Sequence, residues 1–107
     1  MKKRIIYIAH PISGDFHNNM ESIRKIYAAI SREYPECIPF APYWITCYAL
    51  SDVIPTDRDL GFSHNREFFA RGIIDEIWVF GMSKGVETEI EWANEFGIKV
   101  VDRRVTI

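Results

Sequence analysis

Apolar runs alternate along the chain with segments in which apolar residues recur at helical spacing. The runs RIIYIA at 4–9 and DEIWVFG at 75–81 are almost continuously apolar, which is typical of parallel strands buried on both faces. The segments CIPFAP at 37–42, which contains two prolines, and IKVVD at 98–102 are shorter strand candidates. We therefore predict at least four strands, with the two long runs adjacent in the centre of a sheet.

The segments between these strands predict helices. One helix begins after Asp15 and ends by Pro35, because apolar residues recur there every three or four positions. Another runs through NREFFARG at 65–72, and a third follows GMSKG at 81–85. The segment 43–65 shows no clear period, so it favours neither a helix nor a strand.

Strands in alternation with helices predict right-handed β–α–β crossovers and a mostly parallel sheet. We expect an α/β protein with three α/β/α layers, four or five strands and a flavodoxin-like strand order. The chain has 107 residues, of which 48% are hydrophobic, 14% aromatic and 26% charged. This composition is that of one globular domain over residues 1–107.

Charge, cysteines and histidines restrict the classes of function. A net charge of -2 and a pI near 5.9 lack the basic field with which proteins bind nucleic-acid polymers. The N-terminal apolar run is too short to span a bilayer and stops at Pro11 without a cleavage site, so we expect no membrane partner. Cys37 and Cys47 match neither a metal motif nor a disulfide framework, and the three histidines lack ligand spacing. We expect reduced thiols in the cytoplasm, no metal and no cofactor.

Two glycine-containing loops follow the two central strands, AHPISGD at 9–15 and GMSKG at 81–85. In parallel sheets, ligands bind outside the carboxyl ends of the strands. Both loops are therefore predicted to line a ligand site. The candidates from the first loop are Ala9, His10, Pro11, Ser13, Gly14 and Asp15.

The second loop has the composition of an anion site. Gly81, Ser83 and Gly85 precede a helix start, where free backbone N–H groups and the positive end of the helix dipole favour a phosphate. The same residues are also ordinary helix caps. Both interpretations are compatible with the sequence.

Glu89 is the out-of-place residue of the last helix. Most acids of this helix fall opposite its apolar arc, whereas Glu89 falls inside the arc, about one turn from the helix start. It could be an acid that balances the helix dipole at the rim of the core, but Glu87 already serves that purpose from the outer face. We therefore favour a functional carboxylate, which we expect to stay ionised with support from the helix N-terminus.

Five segments together resemble the nucleoside 2-deoxyribosyltransferase-like superfamily, and most of all its small phage- and prophage-associated members. They are YIAHPISGD, FAPYW, DEIWVFG, SKGVETEIEWA and GIKVV, which cover nearly the whole chain. The most specific positions are Ser83, Gly85, Glu89 and Ala93. The resemblance implies that Glu89 is the nucleophile, that Ser83 contacts a 5′-phosphate and that Tyr7 lies near the sugar.

Other positions depart from the pattern of this superfamily. Glu67 occupies the position of its catalytic aspartate, and we predict that Glu67 protonates the leaving base. An arginine that grips phosphate falls on Ser13, so Arg58 or a partner subunit has to supply that charge. Tyr43 and Trp44 could stack on a base, or they could belong to the core.

The resemblance implies an N-glycosidic bond hydrolase or a deoxyribosyltransferase that acts on a (deoxy)nucleoside or nucleotide. Glu89 would attack C1′ of the sugar as in a retaining glycosidase, and water or a second base would then take the sugar. The alternative is a non-catalytic nucleotide-binding module, such as a sensor or a sequestering protein, and a third is a structural subunit with a vestigial site. The aromatic-rich segment 39–50 predicts a homodimer or a larger homo-oligomer.

Overall fold

The computed structural model describes residues 2–51 and 53–104, which form four strands and four helices. In chain order they are β1 (Arg4–Ala9), α1 (Phe16–Glu33), β2 (Cys37–Phe40), α2 (Tyr43–Ala49), α3 (Pro55–Ala70), β3 (Glu76–Val79), α4 (Lys84–Glu95) and β4 (Lys99–Asp102). No helix in these two ranges is long and apolar enough to cross a bilayer.

The four strands form one parallel sheet in the order β2-β1-β3-β4. Tyr7 of β1 lies in register with Phe40 of β2 on one side and with Ile77 of β3 on the other. The predicted centre of the sheet is confirmed, because residues 6–9 and 77–79 are all buried. The protein therefore has the predicted α/β class, with a strand order that matches a flavodoxin-like fold.

Helices cover both faces of the sheet. In the sheet, β2 lies on one side of β1, whereas β3 and then β4 lie on the other side. The connection from β1 to β2 therefore runs in one direction across the sheet, and the two later connections run in the opposite direction. With right-handed crossovers, this change of direction places α1 on one face and α3 and α4 together on the other. Tyr7 faces the second layer, where its ring contacts Tyr43 and Phe69. This layer carries the residues discussed below.

The segment without a clear period, 43–65, contains α2 and the first two-thirds of α3. α3 begins at Pro55, ten residues before the predicted start at Asn65, and proline suits the first turn because its missing N–H has no partner there. The pattern was ambiguous because α3 leaves apolar Leu60 and Phe62 exposed while it buries the polar Asn65. Hydrophobic periodicity cannot identify a helix whose faces are mixed in this way.

Candidate functional site

A cleft of about 750 Å³ lies at the carboxyl edge of β1 and β3, between the first loop, α2, α3 and the start of α4. It is in the position predicted for a ligand site of a parallel sheet. Six of the predicted site residues line it, namely His10, Ser13, Arg58, Ser83, Gly85 and Glu89. The two glycine-containing loops therefore meet at one cavity.

The start of α4 forms one wall of this cleft. Ser83 is the N-cap, and its Oγ accepts a hydrogen bond of 3.2 Å from the backbone N–H of Val86. The capping interpretation is therefore correct, yet the hydroxyl hydrogen of Ser83 remains available to a ligand. Gly85 leaves the first helical turn without a side chain on the cleft. Lys84, which the sequence analysis missed, also lines the cleft and adds a cation beside the helix N-terminus.

Glu89 lies on the cleft with only 9% of its surface exposed. Its Oε2 accepts hydrogen bonds from the Tyr7 hydroxyl and, at 3.2 Å, from Nδ2 of Asn65. Its Oε1 makes no hydrogen bond with the residues that the structure describes. The apolar arc of α4 thus contains a carboxyl group because part of that arc faces Tyr7 and the cleft.

Burial raises the pKa of Glu89 to about 8, although the hydrogen bonds from Tyr7 and Asn65 act to lower it. Both donors are neutral groups, so they replace only part of the hydration that an ionised carboxylate loses. The expectation that Glu89 stays ionised at neutral pH is therefore wrong. The carboxyl group is mostly protonated below pH 8 and ionised above it.

Tyr7 lies beneath Glu89 rather than on the cleft surface. It is completely buried, and burial together with the nearby Glu89 carboxylate raises its pKa well above the ordinary value. Tyr7 therefore remains a hydroxyl donor at every pH at which Glu89 titrates. This burial keeps the Tyr7 side chain off the cleft surface, where it positions Glu89. That Tyr7 lies near a sugar stays a prediction.

Asn65 is the third member of the buried hydrogen-bonded group that includes Tyr7 and Glu89. It was not among the site residues predicted from the sequence. Its Nδ2 donates to the Tyr7 hydroxyl at 2.6 Å as well as to Glu89, while its buried Oδ1 has no partner among the described residues. The available signal was a polar residue four positions before the buried Phe69, on the same helical stripe. This is the signal that identified Glu89, but α3 was predicted to begin only at Asn65.

Glu67 lies outside the cleft. It follows Asn65 by two residues and therefore points to another side of α3. Its carboxylate pairs with Arg71 at 2.7 Å, and 58% of its side chain is exposed. The predicted role of Glu67 in protonating a leaving base has no support in this geometry, because the group faces solvent on the far side of the helix.

Arg58 and His10 occupy the mouth of the cleft. The Arg58 guanidinium lies 5.9 Å from the centre of the Phe62 ring and forms no ion pair within residues 2–51 and 53–104. His10 is held at both nitrogens, because Nδ1 donates to the Pro11 carbonyl at 2.7 Å and Nε2 lies 3.0 Å from the Ser22 hydroxyl. Arg58 is thus the more available group for a bound anion.

The remaining predicted residues support the loops rather than the cleft surface. Trp44 donates to the Met20 carbonyl at 3.2 Å and joins α2 to α1, which is the core interpretation of this aromatic residue. Gly81 lies against Pro11, where an added Cβ would come within 2.8 Å of the proline ring. Three residues of the first loop do not line the cavity: Ala9, which is buried, and Gly14 and Asp15, which are exposed. Tyr43 does line the cavity.

Across the described ranges, no group of three or more His, Cys, Asp or Glu side chains is arranged to hold a metal ion. The model of one family, a domain of unknown function designated DUF7768, matches residues 4–103. No curated protein and no solved structure matches the chain.

Proposed function

The chain belongs to the DUF7768 family, and we propose that it cleaves the N-glycosidic bond of a nucleoside or nucleotide with Glu89 as the nucleophile. One observation carries this proposal. A buried carboxyl group is held on the cleft by Tyr7 and Asn65 through Oε2, which leaves Oε1 for a ligand. A nucleophile needs this combination of a fixed orientation and one unengaged oxygen.

The proposed reaction proceeds in two displacements. Oε1 of ionised Glu89 attacks C1′ of the sugar, the C1′–N bond breaks, and the departing base nitrogen takes a proton from water. Water then attacks C1′ of the sugar ester and releases the carboxylate. A second base at this step would make the protein a transferase. The resemblance to nucleoside 2-deoxyribosyltransferases and the position of the α4 N-terminus, with Ser83 and Lys84 beside it, support a nucleotide as substrate.

The decisive experiment follows free base by chromatography after purified protein is incubated at pH 8 with a panel of nucleosides and their 5′-monophosphates. We expect base release by the parent protein and none by Glu89→Gln, because an amide is not a nucleophile of this kind. Glu91→Gln changes an exposed acid on the outer face of the same helix and should retain the parent rate. Equal rates for the parent and Glu89→Gln would rule out the nucleophile.

A second candidate is a binding module that holds a nucleotide without cleaving it. Two features favour it. The residue beside Glu89 is Asn65, and an amide does not protonate a leaving base as an acid would. Glu67, the other candidate acid, lies outside the cleft. Calorimetry with the same panel separates the two functions. A binding module binds nucleotide but releases no base, and Glu89→Gln retains that binding.

We also propose that the protein forms a homodimer through α2, the start of α3 and the connection between them. These segments expose a group of large apolar side chains beside the cleft: Ile45, Tyr48, Val53, Ile54 and Leu60. An exposed apolar patch of this kind marks an interaction surface, and self-association would cover it on both copies. Sedimentation at micromolar concentration should give the mass of at least two chains, and a monomer would contradict the proposal.

A further inference from the structure

One face of α3 carries three cleft-lining residues at four-residue spacing, Asp57, Gly61 and Asn65. Residues at this spacing lie above one another on the same side of a helix. Asn65 at the inner end touches the Glu89 carboxyl, whereas Asp57 stands two turns away near the mouth of the cleft. This face therefore extends outward from the proposed reaction centre.

Asp57 and Glu89 are the two carboxyl groups that line the cleft in the described part of the chain. Oδ2 of Asp57 accepts a hydrogen bond of 3.0 Å from the backbone N–H of Ser51, which fixes the side chain. Asp57 is half-buried and forms no ion pair with a described residue. Its Oδ1 is an oriented acceptor with no donor among the described residues, and carboxylate oxygens accept hydrogen bonds but do not donate them.

Gly61 lies between these two polar residues on the cleft and adds no side chain of its own. Glycine inside a helix costs about 1 kcal/mol relative to alanine, so its presence calls for a structural reason. An added Cβ would lie 3.3 Å from Cγ2 of Thr46, which shows how closely α2 approaches α3 at this point. Gly61 therefore allows α2 to pack closely against α3, and Thr46 lines the cleft beside it.

The spacing along α3 agrees with the size of a nucleoside. Eight residues from Asp57 to Asn65 span about 12 Å at the rise of an α-helix. This length is of the order of a nucleoside, so a sugar held at Glu89 would place its base toward the Asp57 end of the face.

We propose that Asp57 determines base specificity by accepting a hydrogen bond from the exocyclic amino group of the base. The inference rests on the proposed function, because it requires the sugar to lie at Glu89. It assigns the substrates to the class of amino-bearing bases, such as adenine and cytosine. A base with a carbonyl oxygen at the same position places two acceptors against each other, which leaves Oδ1 of Asp57 unpaired.

The test compares matched pairs of 2′-deoxynucleoside monophosphates that exchange one amino group for a carbonyl: adenine against hypoxanthine, and cytosine against uracil. For the parent we expect kcat/KM for base release to be at least about 10-fold higher with the amino member of a pair. Asp57→Asn should bring this ratio close to one, because an amide can donate to a carbonyl as well as accept from an amine. Asp59→Asn alters an exposed acid two residues further along the same helix and should keep the parent ratio.

Binding measured by calorimetry with the same pairs keeps the inference separate from the cleavage reaction. If no base is released but the amino members bind more tightly and Asp57→Asn removes that preference, the base-reading role stands and cleavage fails. If base is released at equal rates from both members of each pair, cleavage stands and the role of Asp57 is overturned. An unchanged preference in a folded Asp57→Asn variant also overturns it, as does the absence of binding by every nucleotide.

Discussion

Two buried or nearly buried glutamates stand at opposite ends of the sheet and have different surroundings. Glu76, at the start of β3, places Oε2 2.6 Å from the Arg4 guanidinium and accepts at Oε1 from the Trp78 indole N–H at 2.9 Å. Glu89, at the carboxyl end, receives hydrogen bonds from the neutral donors Tyr7 and Asn65 on one oxygen only.

The difference distinguishes an acid that holds the fold together from the acid that we propose as a nucleophile. The charge of Glu76 is compensated by a cation and both of its oxygens are occupied, so nothing is left for a ligand. Glu89 keeps an oxygen on the cleft, and burial, with no described cation to compensate the charge, raises its pKa to about 8. Burial without a counter-charge is therefore the feature that supports the proposed role of Glu89.

The largest expected effect separates the two acids by rate. Glu89→Gln should lower base release at pH 8 by at least about 1,000-fold, because it removes the nucleophile. Glu76→Gln should stay within about 2-fold of the parent, because Glu76 lies at the other end of the sheet. Single-turnover kinetics with a nucleotide identified from the panel would measure both. If both variants lost a comparable part of the rate, the loss would reflect impaired folding and not the removal of a nucleophile.

The pH dependence should follow the ionisation of Glu89. Only the carboxylate attacks, so kcat/KM should rise about 10-fold per pH unit below pH 7 and level off above pH 8, close to the pKa of about 8. Between pH 6 and pH 9 the total increase should be on the order of 100-fold. A profile that is flat over this range would contradict a nucleophile with this pKa.

Stability should change with pH in the opposite direction. The pKa of Glu89 is about 8 in the folded protein against an ordinary value of 4.5, so the folded state holds the proton more tightly. Its contribution to stability is complete below about pH 4.5 and is lost as the pH rises through 8. Relative to Glu89→Gln, the parent should lose about 4 kcal/mol between pH 5 and pH 9, measured by urea unfolding. A constant difference between the two proteins would exclude a buried titrating acid.

Tyr7→Phe should have a moderate effect on the same site. The hydrogen bond from Tyr7 lowers the pKa of Glu89, so its loss should raise that pKa further and move the rise in kcat/KM to higher pH. We expect activity at pH 7 to fall about 5- to 10-fold and to recover in part at pH 9. An equal loss at every pH would indicate that Tyr7 acts only by packing.

The smallest effect is expected at Glu76. Glu76→Gln removes the ion pair with Arg4, whose side chain is 43% exposed, so it should cost only about 1 kcal/mol. The cost should decrease in 1 M salt, because screening weakens the pair in the parent. Urea unfolding at low and high salt checks this. If Glu76→Gln lost more stability than the parent loses between pH 5 and pH 9 through Glu89, the comparison between the two acids would be reversed.

Much of this arrangement could be predicted from local sequence. The two central strands, the bounds of α1 and the meeting of two loops at the carboxyl edge follow from apolar runs and from the rules for parallel sheets. The unusual position of Glu89 follows from helical periodicity. Asp57 could not be predicted, and Asn65 was missed, because both lie on α3, whose exposed apolar side chains and central glycine conceal its period.

The sequence by itself determined the α/β class, the strands and the presence of an acid on a buried helical face, because each depends on the spacing of residues within one element. Tertiary structure decided which neutral groups meet Glu89, that Glu67 points to solvent and that Glu89 is protonated at neutral pH. These depend on contacts between residues distant in sequence and on the water that packing excludes. A carboxyl group has its pKa set by that environment, and the environment exists only after α3, α4 and β1 have come together.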